Sequence, residues 1–445
     1  MTNENLADEI IKRLHQNGHE AYLTGGCVRD RLLGRTPKDY DVATAALPGQ
    51  ILEYFPNSVA VGAKFGVVLV PGNEAKVEVA TFRCDHDYLD GRRPESVSFT
   101  RSAKQDVERR DFTINGMLFD PAQGRCLDYV GGRADLEAGL VRAIGKPRER
   151  FAEDRLRMLR AIRFAARLGF AIEVETLRAI QDQAAKIEEI SAERIRGELN
   201  RVLTEGGARR GFELLDDTGL LEVLLPEVAA MKGVPQPPRF HPEGDVWLHT
   251  LLMLSQMDNP SVPLAWGVLL HDVGKPPTLR FAERIRFDGH VEVGVRMAEH
   301  ILERLRFSHD DRDQVVALVA NHMRFMNVMD MRGSTLKKFM RIESFDEHLE
   351  LHRLDCRGSH GSLDNYEFVR RKLEETPVEE LRPPRLLTGG DLIAAGYSPG
   401  PAFKEILNRA EDAQLEGVFE SKEAALAFVK ERFQPPTGKQ VRPEK

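Results

Sequence analysis

The chain is poor in cysteine. Its 445 residues include four, Cys27, Cys84, Cys126 and Cys356. They stand far apart and form no C-x-x-C pair. That argues against a disulfide framework or a structural zinc site and fits a reducing cytoplasm. Long apolar runs are also missing. None approaches the roughly 18 residues that a membrane span needs, so no membrane partner is expected. The opening residues, MTNENLADEIIKRLHQNG, read as an amphipathic helix and lack the apolar block of a signal peptide. Positive charge is not in excess. Lys and Arg number 63 against 70 Asp and Glu, a net charge of −7. The chain as a whole is therefore no obvious nucleic-acid binder, and the distribution of charge matters more than its sum.

What is present is an ordinary globular composition, 42% hydrophobic and 30% charged. The length suffices for roughly two to four domains. Between residues 145 and 170, Lys146, Arg148, Arg150, Arg155, Arg157, Arg160, Arg163 and Arg167 face only Glu149, Glu153 and Asp154. A basic block inside an acidic chain points to a phosphate-binding face.

The rest of the chain is organised around Leu23 to Thr44, LTGGCVRDRLLGRTPKDYDVAT. In a strand, residues i and i+2 share a face. Asp39 and Asp41 would then aim at one point, with Tyr40 and Val42 turned away. Two carboxylates aimed together need a cation between them, and hard oxygen ligands suit Mg²⁺. Upstream, Gly25 and Gly26 let the backbone approach a phosphate, and Arg29 adds a fixed positive fork. Taken singly, a D-x-D or a glycine pair is more often a turn. Together they are the kit for phosphoryl or nucleotidyl transfer. GG-x-VRD-x-LLG followed by D-x-D resembles the head of the class II tRNA nucleotidyltransferase and poly(A) polymerase superfamily.

Alternating strands and short helices through residue 83 imply a small α+β head. Within it, Glu78 reads as the solvent face of an edge strand rather than as a third carboxylate. Residues 84–105 are polar and aperiodic and read as a mobile loop. In the resembled family a flexible loop stands here. Its loss accompanies enzymes that add only cytidines, so its full length here weighs against that subtype. DVERRDFTINGMLFD follows and matches the family's second motif. The resemblance implies that Arg110 binds nucleotide and that Asp111 accepts a hydrogen bond from a ribose hydroxyl. Asp128 and Asp135, in a hinge-like third motif, read as structural.

Residues 147–170 show the spacing of one strong helix. E-D-x-x-R at this place resembles the family's nucleobase-reading motif. That implies Asp154 and Arg157 as readers of the base, with Arg160 and Arg163 on phosphate or sugar. A helical stretch follows to residue 235, where Ser191 heads a neck helix, and then a proline-rich linker.

Ten of the thirteen histidines fall between His241 and His360. His249, the pair His271-Asp272, His290, His322 and Asp355 are spread as ligands from separate helices of a bundle would be. LLHDVGKP resembles the HD phosphohydrolase superfamily. That resemblance implies a divalent-metal site on His249, His271, Asp272 and Asp355, with His290 and His322 as the extra ligands of a binuclear form. Lys275 is expected on a phosphate. His241, His300, His309, His348, His352 and His360 read as ordinary core or surface histidines.

The expected architecture is α+β: a nucleotidyltransferase head with a small mixed sheet (1–145), then a helical neck and body (146–235). An HD metal-binding domain (240–375), a helical tail that contacts tRNA (376–434) and a disordered terminus (435–445) complete it. The expected activity is template-independent addition or repair of the tRNA 3′-terminal CCA from CTP and ATP. It would proceed by two-metal transfer on Asp39 and Asp41, with a second divalent metal at the HD site. Alternatives are an A-adding or CC-adding enzyme, or a bacterial poly(A) polymerase. A further alternative is an HD phosphohydrolase whose head only binds RNA.

Overall fold

The computed structural model describes residues 2–62, 65–86, 96–239 and 241–433. The first helix, α1 (Asn3–Gln16), begins where the Thr2 hydroxyl accepts the Asn5 N–H. It buries Leu6, Ala7, Ile10, Ile11 and Leu14 along one stripe. Strand β1 (Ala21–Thr24) follows, then α2 (Gly26–Leu32), β2 (Asp41–Thr44) and α3 (Pro48–Tyr54). Strands β3 (Val59–Gly62), β4 (Val67–Pro71) and β5 (Lys76–Thr81) come next. The hairpin β6 (Arg83–His86) and β7 (Ser96–Phe99) leads to α4 (Ala103–Glu108), β8 (Met117–Asp120) and β9 (Arg125–Asp128).

Seven strands form one mixed sheet in the order β3-β4-β5-β2-β1-β8-β9. The side chains alternate as a pleat requires. Leu23 and Val42 enter the principal core, while Ala43 and Leu118 enter a smaller core with Phe82 and Val107 on the other face. β2 pairs with β5 in parallel, so Asp41 stands opposite Glu78. This corrects the edge half of the Glu78 reading, because β5 lies inside the sheet between β4 and β2, while Glu78 itself is exposed as expected.

Two other expectations are revised. The segment expected as an irregular loop, 84–105, contributes to the β6–β7 hairpin and to the start of α4. Residues 87–95 and the expected disordered terminus lie outside the described residues. The single helix expected over 147–170 is two, α6 (Pro147–Glu153) and α7 (Leu156–Leu168), which follow the short α5 (Gly132–Glu137). The break falls at Asp154, whose backbone is extended (φ −142°, ψ 104°). Its carboxylate accepts the Leu156 N–H at 3.1 Å and so caps α7, a competition with helix that periodicity does not reveal.

Helices α8 (Val174–Gln183) and α9 (Ala192–Thr204) continue the body, and Ser191 is the N-cap residue of α9 as expected. The proline-rich linker does not divide the apolar interior. The principal core runs from Leu6 to Leu354, and the Trp266 indole N–H donates to Asn200 Oδ1 at 2.7 Å across it. A separate core from Leu387 to Val429 holds the tail helices. The fold class is α+β, with a sheet-bearing head followed by helices. Among the described residues no helix is long and apolar enough to cross a membrane.

Candidate functional site

Two clusters carry chemistry. The first is an open cleft of about 770 Å³ between the head sheet and α7. Gly25, Gly26, Arg29, Asp41, Arg110, Asp111, Asp154, Arg157 and Arg160 all line it. Gly25 has φ +73° and is the N-cap of α2, and a Cβ there would point at Arg110 and Asp41. The left-handed backbone is what lets the chain turn from β1 into α2 beside the carboxylates. Arg29 is buried beneath this turn, where its guanidinium donates to Asp30 Oδ1 and Asn115 Oδ1, each at 2.8 Å.

Asp41 opens β2, whereas Asp39 precedes the strand and is exposed. The strand argument thus holds for Asp41, with Tyr40 and Val42 buried behind it, but not for Asp39. The Asp41 carboxyl is pushed up to about 6. Burial is the main cause, and the charges of Glu78 and Asp39 add to it against the opposing pull of Arg110. Asp41 feels the charge of Glu78 on the neighbouring strand and of Asp39 just before its own, and a divalent cation would relieve that repulsion. Asp39, Asp41 and Glu78 would hold it.

Opposite them, the turn Arg109-Arg110-Asp111 is clamped. Asp106, 1% exposed, accepts from Arg109 at 2.7 Å and from Arg110 at 2.8 Å. Those two guanidinium groups outweigh burial and hold the Asp106 carboxyl below its usual range. Reading the sequence missed Asp106, although its i, i+3 and i, i+4 spacing to the arginines was visible. Asp111 accepts from Arg160 Nε at 2.9 Å, from the Phe112 N–H at 2.7 Å and from Asn115. Its carboxyl is drawn down to about 2, because Arg160 overcomes the penalty of burial. Asp154 pairs with Arg194 of α9 at 3.1 Å rather than with Arg157. Arg157 instead donates to Glu153 at 2.7 Å and to the carbonyls of Arg150 and Arg109. Arg163 does not line the cleft. It is 5% exposed and donates to Glu198 of the neck at 2.7 Å. Asp128 and Asp135 hold local turns, as expected of structural residues.

The second cluster lies in the helices after residue 240. His249 sits in the helix Val246–Gln256, His271 and Asp272 end Val262–Leu270, and His290 opens His290–Arg304. His322 follows His309–Asn321, and Asp355 lies in Phe345–Gly358. His271, His290 and His322 place Nδ1 at 2.8, 2.9 and 2.7 Å from the carbonyls of Val268, Phe287 and Val319. A carbonyl only accepts, so Nδ1 carries the proton and Nε2 offers a bare lone pair. His249 places Nδ1 2.8 Å from Glu243 Oε1, and in the metal-free protein its ring is charged, so a metal at Nε2 would have to displace a proton.

All four Nε2 atoms are buried without a hydrogen-bond partner. They face the two aspartates. His249 Nε2 is 3.2 Å from Asp355, and His271 Nε2 is 3.1 Å from Asp272. His290 and His322 approach Asp272 at 3.9 and 3.8 Å. Orphaned imidazole nitrogens aimed at carboxylates are what a metal ion would satisfy. His249 with His271 and Asp355, and Asp272 with His290 and His322, form two such groups. Burial lowers His322 to about 4 and keeps it neutral. Burial also acts against a charged His249, but Asp355 and Glu243 outweigh it and raise the ring to about 9.

All six HD residues expected from the sequence are thus brought together. Lys275 differs from expectation. It is buried, with Nζ 2.6 Å from Asp272 and 2.6 Å from Gln236. It balances the aspartate rather than presenting an open charge. His241, expected to be unremarkable, shares Glu243 with His249 at 2.8 Å. Glu243 and Gln236 carried no sequence signal, since they reach the site from the linker.

Residues 21–142 match the poly A polymerase head domain, 169–232 the probable RNA- and SrmB-binding site of polymerase A, and 246–356 the HD domain. The CCA-adding enzyme of Leuconostoc mesenteroides is 31% identical over 436 residues, covering 96% of each chain. The chain belongs to the CCA-adding enzyme family. The CCA-adding enzyme of Geobacillus thermodenitrificans is 45% identical over 211 residues, which span 47% of this chain and 52% of that enzyme. This chain therefore matches about half the length of that relative. The structure of the Bacillus stearothermophilus CCA-adding enzyme in complex with CTP superposes with a TM-score of 0.75 at 28% identity, over 96% of both chains.

Proposed function

We propose that the chain is a template-independent tRNA nucleotidyltransferase that builds or repairs the 3′-terminal CCA from CTP and ATP. The observation that carries this reading is the cleft itself. Asp41, under the charge of Asp39 and Glu78, shares the cleft with Arg110, while Asp154 and Arg157 line its α7 side. Such a constellation has one set of groups for triphosphate and another for the base. Family membership along nearly the whole chain supports it, as does the similar enzyme that binds CTP.

Each residue then has a task. Asp39 and Asp41 hold Mg²⁺, with Glu78 as a third carboxylate. Bound Mg²⁺ supplies charge neutralisation and activation of the attacking hydroxyl. Arg110, freed in part from Asp106, neutralises triphosphate. Arg29 fixes the glycine turn from beneath. Asp154 offers acceptors and Arg157 offers donors, so the protein edge substitutes for a template base. Asp111 keeps unused lone pairs for a ribose hydroxyl while it orients Arg160. Arg163 ties α7 to the neck. Free thiols at all four cysteines fit action in the reducing cytoplasm.

A second activity is favoured by the orphaned Nε2 atoms. The HD cluster would hold divalent metal, of unassigned identity, on His249, His271, Asp272, His290, His322 and Asp355. It would hydrolyse phosphate esters.

The test uses tRNA ending before CCA, tRNA ending at CC and an unrelated RNA, with each nucleotide given singly. Incorporation of C and A that stops after the third residue is expected. Unlimited A addition to any RNA overturns the reading in favour of a poly(A) polymerase. Addition of A alone or C alone moves it to the restricted enzymes.

A further inference from the structure

Arg150 and Arg157 meet at one half-buried backbone point. That point is the carbonyl of Arg109, which accepts from Nη2 of both Arg150 and Arg157. The same Arg150 Nη2 also donates to the Arg110 carbonyl at 2.7 Å. Arg150 Nη1 and Arg157 Nη1 share Glu153 Oε2. The backbone carbonyl of Arg150 accepts from Arg157 Nη1 at 3.0 Å. Arg150 does not line the cleft, and its side chain is only 12% exposed. It touches what holds Arg110 on one side and Arg157 on the other.

We propose that Arg150 is a positioning residue that couples base recognition to triphosphate binding. This rests on the nucleotidyltransferase reading above. The physical argument is geometric. The planar guanidinium spans two consecutive carbonyls and a carboxylate in one plane, which an ammonium cannot do. A base that draws Arg157 toward the cleft pulls on the Arg109 carbonyl and on Glu153. Both are also bound to Arg150, which in turn holds the Arg110 carbonyl. The correct base therefore sets the turn from which Arg110 reaches the phosphates. Asp106 restrains the same two arginines from their side-chain ends, so the turn has few other ways to move.

The test is a double-mutant cycle read by CTP binding, measured by calorimetry on the full chain with Mg²⁺. Arg110→Lys and Arg157→Lys are made singly and together, in the native background and in Arg150→Met. In the native background the two losses are expected to be non-additive by about fivefold or more in Kd. With Arg150→Met they are expected to become additive. Arg150→Lys should behave as Met does, because the fork is lost while the charge remains. Persistence of the coupling in Arg150→Met overturns the proposal. So does additivity already in the native background. A merely structural Arg150 would weaken CTP binding in every variant alike and leave the coupling intact, which counts against the proposal. Because the readout is binding, it stays separate from the assigned activity. If CTP binds with the expected coupling but no tRNA is extended, the proposed reaction fails and the positioning role stands.

Discussion

The nucleotide cleft and the HD cluster are built in opposite ways. The cleft is open, rich in arginine and assembled from short contiguous motifs on β1, α2, β2 and α7. Its ions are paired with one another before any ligand arrives, as Asp106 with Arg110 and Asp111 with Arg160 show. The HD cluster is closed, rich in histidine and drawn from several helices separated by more than a hundred residues, from His249 to Asp355. Its Nε2 atoms have only the cluster's own aspartates beside them. A site that binds a large, variable substrate keeps movable charge in water and satisfies it internally meanwhile. A site that binds a small ion holds its lone pairs fixed and empty. The difference separates recognition from coordination.

The sharpest break between the two is mutational. Asp41→Ala should lower nucleotide addition by roughly 10³-fold or more and leave hydrolysis of a 2′,3′-cyclic phosphate intact. Asp272→Ala should do the reverse. Loss of both activities in either variant would erase the distinction between the sites. Next in size, stripping divalent metal and restoring it should raise the unfolding temperature of the chain by a few degrees, since a saturating ion adds on the order of 2–3 kcal/mol. Asp272→Ala should abolish that shift, and an unchanged scan in native protein would remove the metal reading.

Glu78→Gln is expected to slow addition about tenfold by thinning the carboxylate set. An unchanged rate would leave Glu78 a solvent-facing residue with no part in the site.

The raised Asp41 carboxyl makes a fourth, pH-dependent expectation. In metal-free protein Asp41 takes up its proton as pH drops through about 6, so Mg²⁺ should bind more weakly below that pH, as a calorimetric titration at several pH values would read. Stability runs the other way. A carboxyl whose folded pKa is raised contributes most below its unfolded value and loses that contribution as pH rises through the folded one. In metal-free protein at pH 7.5, Asp41→Asn should therefore be more stable than native, by on the order of 1 kcal/mol. A less stable variant in urea titration would contradict this. The smallest effect belongs to Gly25→Ala, about 1 kcal/mol of destabilisation from its left-handed backbone.

Much of this was legible in order along the chain. β1, α2 and β2 fall where their apolar and glycine pattern puts them, because strand and helix periodicity are local properties. The six residues of the HD cluster were legible by residue type, since few other arrangements place histidine and aspartate so densely. The misreadings share a cause. Glu78 seemed an edge residue because strand order is not written in any single strand. Arg163 seemed a nucleotide contact because helical spacing does not say which face meets Glu198. The helix over 147–170 seemed continuous because Asp154 breaks it through a side-chain bond to Leu156 and a partner on α9.

The sequence by itself determined the chemical inventory: two acidic-and-basic constellations of different character, an α+β head and helices after it. Short-range patterns suffice for that, because turns, caps and alternation act over a few residues. Only the tertiary structure decided which partners complete each site. Glu78 beside Asp41, Arg194 on Asp154, Arg150 under the Arg109 carbonyl and Glu243 behind His249 all join distant or differently oriented segments. Their contacts exist only once the sheet order and helix packing bring buried charges together, where an unpaired group would be too costly to keep.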